Sequence, residues 1–397
     1  MSRARLIRAL ALAATASLAL SACAGGSSGG GGSTSAGGGD APSSVKIGFM
    51  GDLTGGDSNI VIPPSLGAKM AIDEYNATNP KTKIELVKYD SQAKTEQATA
   101  LVQKAITSDK IVGLIGPAFS GESKAVGAIL DQAKIPSVSP SATNAGLAKN
   151  GWKYWHRVVA NDADQGPKIV DFLISAKSPK SAFVLSDDQE YSVGLADAME
   201  QELKAKGITE QRDKFAKDAP DYSSTVNKVK AANPDIIVFG GYYSQAGRLL
   251  KQLRDGGVKG TFATGDGSLD IQLVTGAGTA AAEGAVVGCP CLIPFEGTTG
   301  PLKDWADKYK KAAGADPAIY STEGYDAATA FINAIKGGNT TGEKINEFLK
   351  TLSFEGVSKP IKFKDNGEPE TNSIFVYQVV GGKIKILGPS DKAKLQG

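Results

Sequence analysis

The chain has 397 residues, with 44 Lys and Arg against 42 Asp and Glu, one His and three Cys. That length holds two domains with real cores plus a tail. Charge this balanced and dispersed lacks the basic stripe of a nucleic-acid binder, and a lone His argues against an imidazole-built metal or catalytic centre.

The start reads as a targeting segment. Arg3, Arg5 and Arg8 precede the apolar run Ala9–Leu20, which is too short to span a bilayer. The run ends in Leu20-Ser21-Ala22-Cys23, small residues followed by a Cys, which resembles a bacterial lipobox. That resemblance implies a lipoprotein signal over residues 1–22 and acylation of Cys23. Plain signal cleavage beside an incidental Cys is the alternative, but all four positions fit. Residues 23–44, nearly all Gly, Ser and Ala, read as a flexible lipid-anchored linker. The two chains of a diacylglyceryl group suffice to hold a body at a membrane. Loss of residues 1–22 leaves 41 basic against 42 acidic side chains.

From Val45 strand and helix patterns alternate. Strands are predicted at Val45–Met50, Ile84–Tyr89, Ile111–Ile115, Pro136–Val138, Ser181–Ser186, Asp235–Gly240 and Thr261–Ala263. Helices are predicted between them at Ser65–Asn76, Thr95–Thr107, Glu122–Ala133, Val193–Lys206, Thr225–Ala232 and Gln245–Asp255. Repeated strand–helix units with apolar strands imply parallel sheets covered by helices on both faces, hence an α/β fold. Asn161-Asp162-Ala163-Asp164 reads as a linker ahead of Pro167, and a second break lies at Gly288–Thr299. Helices follow at Leu302–Ala313, Thr322–Lys336 and Glu343–Leu352. The chain closes on β-like runs at Ile361–Lys364, Ile374–Val380 and Lys383–Leu387, with turns at Asp365-Asn366-Gly367 and Gly381-Gly382. Cys289 and Cys291, separated by Pro290, read as a local staple or two packed thiols rather than a metal pair, since no second ligand pair is present.

In open parallel sheets ligands bind at the carboxyl ends of strands. Five such tips carry polar groups. Phe119-Ser120-Gly121 and Ser141-Ala142-Thr143 supply hydroxyls. Tyr191, Tyr242 and Asp266 follow the later strands. Ser120 and Thr143 each sit at a predicted helix start, where a hydroxyl and free N–H groups suit a carboxylate. Asp266, between glycines, suits an ammonium, and Tyr191 and Tyr242 suit the walls of a site. Taken singly, these residues fit ordinary caps, packing and turns; taken together, they fit an α-amino acid.

The same residues carry a family resemblance. Ser139–Asn144 (SPSATN), Asp162–Pro167 (DADQGP), Asp187–Ala196 (DDQEYSVGLA) and Gly240–Gly247 (GGYYSQAG) resemble the type I periplasmic-type solute-binding proteins of branched-chain amino acid ABC transporters, over roughly residues 45–390. The pattern is similar to that of leucine/isoleucine/valine-binding proteins. The resemblance implies two doubly wound α/β domains joined by a three-segment hinge, with the ligand cleft between them. It implies lobes of 45–161 plus 291–375 and of 162–290 plus 376–397, with crossings near Ala160–Gln165, Cys289–Pro294 and Phe375–Tyr377. The carboxylate falls to Ser120, Ser141, Ala142 and Thr143. The ammonium falls to Tyr242 and Asp266, and Tyr191 comes from the other lobe; Phe119 joins the ligand-binding set. The resemblance further implies a monomer that needs no cofactor, hands its ligand to an ABC permease and ATPase complex, and touches the outer face of the plasma membrane through its lipid alone. The family's acid is often Glu, so Asp266 is short by one methylene. Ile60 only loosely matches the loop contact, and Ser91 and Phe119 stand where an early disulfide is expected.

An enzyme reading finds little support. His156 lies in Tyr154–Val158 with no triad order around it. Gly276–Ala281 matches G-x-G-x-x-A but lacks a full helix after it. A lipid-anchored ligand sensor, or a binder of another small amino acid, amide or urea-like solute, is the alternative function.

Overall fold

The computed structural model describes residues 41–396. Cys23, the signal 1–22 and the linker up to residue 40 lie outside the described residues. From Ala41 onward the chain forms one unit.

The first half runs β1 (Ser44–Gly51), α1 (Ile62–Ala77), β2 (Lys83–Asp90), α2 (Thr95–Lys104), β3 (Gly113–Ile115), α3 (Ser120–Gln132), β4 (Ser137–Ser139) and β5 (Trp155–Arg157). These strands make a five-stranded sheet in the order β2-β1-β3-β4-β5, parallel throughout. β3 is three residues of buried Gly, Leu and Ile, as expected for a strand covered on both faces.

The second half runs α4 (Asp162–Lys177), β6 (Ser181–Ser186), α5 (Glu190–Ala205), β7 (Thr209–Lys214), α6 (Ser223–Ala232), β8 (Ile236–Phe239), α7 (Tyr243–Asp255), β9 (Thr261–Thr264), α8 (Ile271–Ala277), α9 (Thr279–Ala282) and β10 (Val286–Cys289). The chain then leaves for α10 (Pro301–Ala313), α11 (Ser321–Lys336), α12 (Gly342–Leu349), and the small antiparallel pair β11 (Ser353–Glu355) and β12 (Pro360–Lys362). It ends in the hairpin β13 (Phe375–Val380) and β14 (Lys383–Pro389), which turns through Gly381 and Gly382, both at positive φ. The second sheet has seven strands in the order β14-β13-β10-β9-β8-β6-β7, with β13 antiparallel to β10.

The long excursion α10–α12 returns to the first sheet. A Cβ on Gly67 of α1 would stand 2.2 Å from Ser321 O, and one on Gly324 of α11 would stand 2.1 Å from Pro64 O. Only paired glycines let these helices lie so close. Gly113 meets the Phe331 ring of α11 in the same way, seating that helix on β3.

Three expectations need correction. Asn161-Asp162-Ala163-Asp164 is no linker: Asn161 caps α4 by accepting from Ala163 N at 2.9 Å, and Asp162 is the first helical residue. Thr143 starts no helix; it sits in an irregular stretch ahead of a one-turn 3-10 segment at Leu147–Lys149. Phe375–Tyr377 is no crossing, because it already forms strand in the second sheet. The passage between lobes precedes it, and there Arg157 ties the segments together. This fully buried guanidinium pairs with both oxygens of Glu368 and donates to the carbonyls of Ala142 (2.9 Å) and Asn144 (3.0 Å). Cys289 and Cys291 are buried and form a disulfide where β10 ends.

Candidate functional site

The strand ends of the two sheets face each other across a polar cleft. Ser120 is the first residue of α3, after the extended N-cap Phe119. Its hydroxyl accepts from Asn144 N at 3.2 Å, which sets the Ser141–Asn144 turn against the α3 N-terminus. Within that turn most polar groups are already engaged. Ser141 Oγ donates to Ala118 O at 2.8 Å, and Ala142 N donates to Ser139 Oγ at 3.0 Å. Thr143 differs, because its buried hydroxyl has no partner.

Opposite lie Tyr191 at the start of α5, Tyr242 as N-cap of α7, and Asp266 after β9. The Tyr191 and Tyr242 ring centroids are 4.8 Å apart, and Phe119 meets Tyr242 edge-on at 5.4 Å. Tyr191 OH donates to Asp266 Oδ1 at 3.0 Å and accepts from Gly267 N at 2.9 Å. The Gly-Asp-Gly sequence follows from this packing. A Cβ at Gly267 would stand 2.6 Å from Tyr191 Cε1 and 2.9 Å from Tyr242 Cδ1, and one at Gly265 would stand 2.2 Å from Leu195.

The structure places Phe119, Ser120, Ser141, Ala142 and Thr143 after strands of the first sheet and Tyr191, Tyr242 and Asp266 after strands of the second; of these, Phe119, Tyr191 and Tyr242 line a cavity. Sequence reasoning missed Tyr320. Its hydroxyl crosses from the N-cap of α11 to Asp266 Oδ2 at 2.6 Å. It stands in the left-handed region (φ 61°), a costly setting for a bulky residue that its buried bond to Asp266 helps hold. The strand-end rule passes over it, because it precedes a helix of the long excursion. Asp162 and Gln165 were also missed. Both are buried, and Asp162 N donates to Thr143 O at 2.9 Å.

Burial raises the pKa of Asp266, opposed by the donating hydroxyls of Tyr320 and Tyr191 and by the nearby Gln165 amide. Burial pushes Asp162 well above the usual carboxylate range, and the charge of Asp266 adds to this. Thr143 stands close enough to oppose that shift, yet forms no hydrogen bond of normal geometry to Asp162. Burial likewise lifts Glu122 to about 7, opposed chiefly by the hydroxyl of Ser91. Ser91 and Phe119 thus bracket a carboxyl rather than a disulfide.

A cavity of about 530 Å³ opens beside this cluster. Phe119, Tyr191 and Tyr242 line one part of it, and Glu122, Lys124, Glu190 and Lys217 another. Thr143, Asp162 and Asp266 are not in its lining, whereas Tyr191, which donates to Asp266, is. Around the rim the lobes already touch. Asn144 Nδ2 donates to Glu190 O at 2.8 Å, where Gly194 leaves room for it. Tyr243 OH donates to Gly56 O at 2.7 Å, and Ser244 Oγ to Asp57 Oδ1 at 2.7 Å.

Two α/β lobes meeting over a buried set of hydroxyls, rings and carboxylates define a cleft-type solute-binding protein. His156, the sole imidazole, is packed edge-on against Phe363 in β5. A family model described as periplasmic binding protein matches residues 44–383, and the chain belongs to that family, which is one of solute-binding proteins and not of enzymes. The chain is 27% identical over 346 residues to an amino acid binding protein of Pseudomonas aeruginosa, covering 85% of this chain and 91% of that one. It is 27% identical over 328 residues to the Leu/Ile/Val-binding protein of Escherichia coli K12, covering 82% and 88%. The crystal structure of a leucine binding protein from Thermotoga maritima superposes with a TM-score of 0.79 at 28% identity, covering 87% of this chain and 98% of that one. A branched-chain amino acid transporter substrate binding protein of Streptococcus pneumoniae, in complex with isoleucine, gives 0.77 at 27% identity, covering 87% and 100%.

Proposed function

We propose that this chain is the extracytoplasmic solute-binding lipoprotein of an ABC importer. It captures an α-amino acid, branched-chain aliphatic by analogy with its relatives, and presents the closed form to a permease and ATPase complex. The observation that carries the reading is the opposition of two chemistries. A hydroxyl-lined turn on a helix N-terminus faces a carboxylate held by tyrosines, which suits the two ends of one zwitterion. Ser120, Ser141, Ala142 and Thr143 hold the carboxylate end, and Asp266, Tyr191 and Tyr242 enclose the rest. The first lobe, built on residues 45–161 and the excursion that returns to its sheet, and the second, built on residues 162–290 and the β13–β14 hairpin, close about the crossings, burying the ligand. Cys23 carries the lipid after removal of residues 1–22.

Calorimetric titration of the purified chain with leucine, isoleucine and valine tests the ligand. Absence of heat and of thermal stabilisation with all three refutes the branched-chain reading. Cys23→Ser should move the protein from the membrane fraction to the soluble fraction; unchanged membrane retention refutes the anchor.

A further inference from the structure

The cavity of about 530 Å³ has the size of a small-molecule site, but its wall is not the apolar one that an aliphatic side chain asks for. The Phe119, Tyr191 and Tyr242 rings cover part of it, and charged side chains cover much of the rest. Most of those charges are engaged or face outward. Lys124 pairs with Glu190 at 2.8 Å, Lys94 donates to Gln92 at 3.1 Å, and Glu96 and Asp188 are exposed. Two differ. Glu122 is 1% exposed; its Oε1 accepts from Ser91 Oγ, and its Oε2 has no hydrogen-bond partner. It holds the third position of α3, where a carboxylate ordinarily reaches back to cap the helix. Phe119 N stands close enough to oppose the rise in its pKa, yet forms no hydrogen bond of normal geometry to Oε2. Lys217, half-buried after β7, makes no side-chain hydrogen bond or ion pair among the described residues; only its backbone N–H is used, donating to Asp188 at 3.0 Å.

Glu122 belongs to the first lobe and Lys217 to the second, and both line the cavity. The charge of Lys217 reaches Glu122 and also Asp57, another buried carboxyl of the first lobe. A buried acceptor on one wall thus faces an unengaged ammonium on the other, with aromatic rings alongside. A carboxamide matches this pair, because it carries two N–H donors and a carbonyl acceptor in one flat, neutral group. A cationic side chain would meet Lys217, and an anionic one would meet Glu122 and Asp57. An aliphatic side chain would leave Glu122 Oε2 buried without a donor. Ser120 sits between Phe119 and Gly121, which both line the cavity, so an amino acid held by its carboxylate at Ser120 has the cavity within reach of its side chain.

We propose that Glu122 and Lys217 form a side-chain subsite for a terminal carboxamide, so that the cleft takes an ω-amide amino acid as well as an aliphatic one. Glu122 accepts from the amide nitrogen, and Lys217 donates to the amide oxygen. This rests on the amino-acid reading and extends its ligand class. It also gives a use to the positions of Ser91 and Phe119, since the carboxyl they bracket is the one that the side chain meets.

The test is calorimetry on the full chain with glutamine, leucine, glutamate and lysine as probes. The wild type should bind glutamine at least as tightly as leucine, and glutamate and lysine more weakly than glutamine by about tenfold or more. Lys217→Met keeps the apolar stem and removes the ammonium, and Glu122→Gln keeps the shape and removes the charge. Lys217→Met should lower glutamine affinity by about 10- to 100-fold relative to leucine affinity, the size of one lost bond to a charged group, and Glu122→Gln should shift the ratio in the same direction. Lys217 is only half-buried, so its replacement should move the melting temperature by less than about 2 °C, which separates a lost contact from a lost fold. Equal losses of both probes in Lys217→Met, or a wild type that binds leucine and rejects glutamine, overturns the subsite alone. A wild type that binds neither overturns the subsite together with the reading beneath it.

Discussion

Breaking the Arg157–Glu368 pair should damage both the fold and the cleft. Arg157 is wholly buried and Glu368 nearly so, and the carboxylate receives two guanidinium nitrogens, with Asn161 Nδ2 adding a third donor at 3.2 Å. Removing one partner of such a pair leaves an uncompensated buried charge and costs about 3–5 kcal/mol. Glu368→Ala does this to Arg157. Arg157→Met does it to Glu368 and also strips the donor from the Ala142 and Asn144 carbonyls, at about 1 kcal/mol or more for each. At about 2 °C per kcal/mol for a chain of this size, the Glu368 variant should melt about 6–10 °C lower and the Arg157 variant lower still. Combining the changes removes both charges, so the double variant should lose clearly less than the sum. Circular-dichroism melts of the three variants measure this cycle. Leucine titration well below the melting temperature then reads the turn that carries Thr143, and Arg157→Met should weaken binding more than Glu368→Ala. A drop under about 2 °C for Glu368→Ala, or strict additivity in the double variant, refutes the argument.

Three further outcomes follow from single residues. Burial holds His156 down at about 4, so the unfolded chain gains the proton first as pH falls below about 6.5. The stability its neutral form provides is complete above pH 6.5 and is lost on the way to pH 4, by up to about 3 kcal/mol. Denaturant midpoints of His156→Leu should vary less with pH across that window than those of the wild type. Burial lifts Glu323 to about 7, so its contribution is present below the unfolded carboxyl range and is lost as pH rises through 7. Glu323→Gln should therefore gain up to about 3 kcal/mol at pH 8 relative to pH 5, measured by paired urea titrations. Gly267→Ala puts a methyl into the Tyr191 and Tyr242 rings, and the about 1–3 kcal/mol cost of overpacking should appear mainly as lost leucine affinity, read by calorimetry.

The repeated strand–helix rhythm made the α/β class legible, because buried parallel strands such as β8 are short apolar runs with no polar alternation. What escaped was polar. β7 reads Thr-Glu-Gln-Arg-Asp-Lys and is mostly exposed, since it is the edge of its sheet; nothing in its hydropathy marks a strand. The start of α4 looked like a linker for a related reason. Asn, Asp and Asp are loop residues by composition, yet they are also the residues that cap and open a helix. The site was legible where it obeyed the strand-end rule. Tyr320 and Asp162 escaped because they come from helix starts, one inside the long excursion and one at a crossing, where tertiary connection rather than strand order puts them.

The rim and the centre of the cleft divide the work of closure from the work of choice. The rim bonds Asn59–Asp270, Tyr243–Gly56, Ser244–Asp57 and Lys124–Glu190 join protein to protein, and most are part-exposed. Such bonds contribute little each and form whatever the cleft contains. They bring the closed form within reach without telling one solute from another. The centre behaves differently, because closing over Thr143, Asp162 and Gln165 without a donor leaves several buried acceptors unpaired, at about 1–3 kcal/mol for each. A solute lacking the right donors meets that cost in full, whereas one that supplies them cancels it. Under the proposed function, discrimination therefore arises from what the closed protein lacks when the wrong ligand is inside.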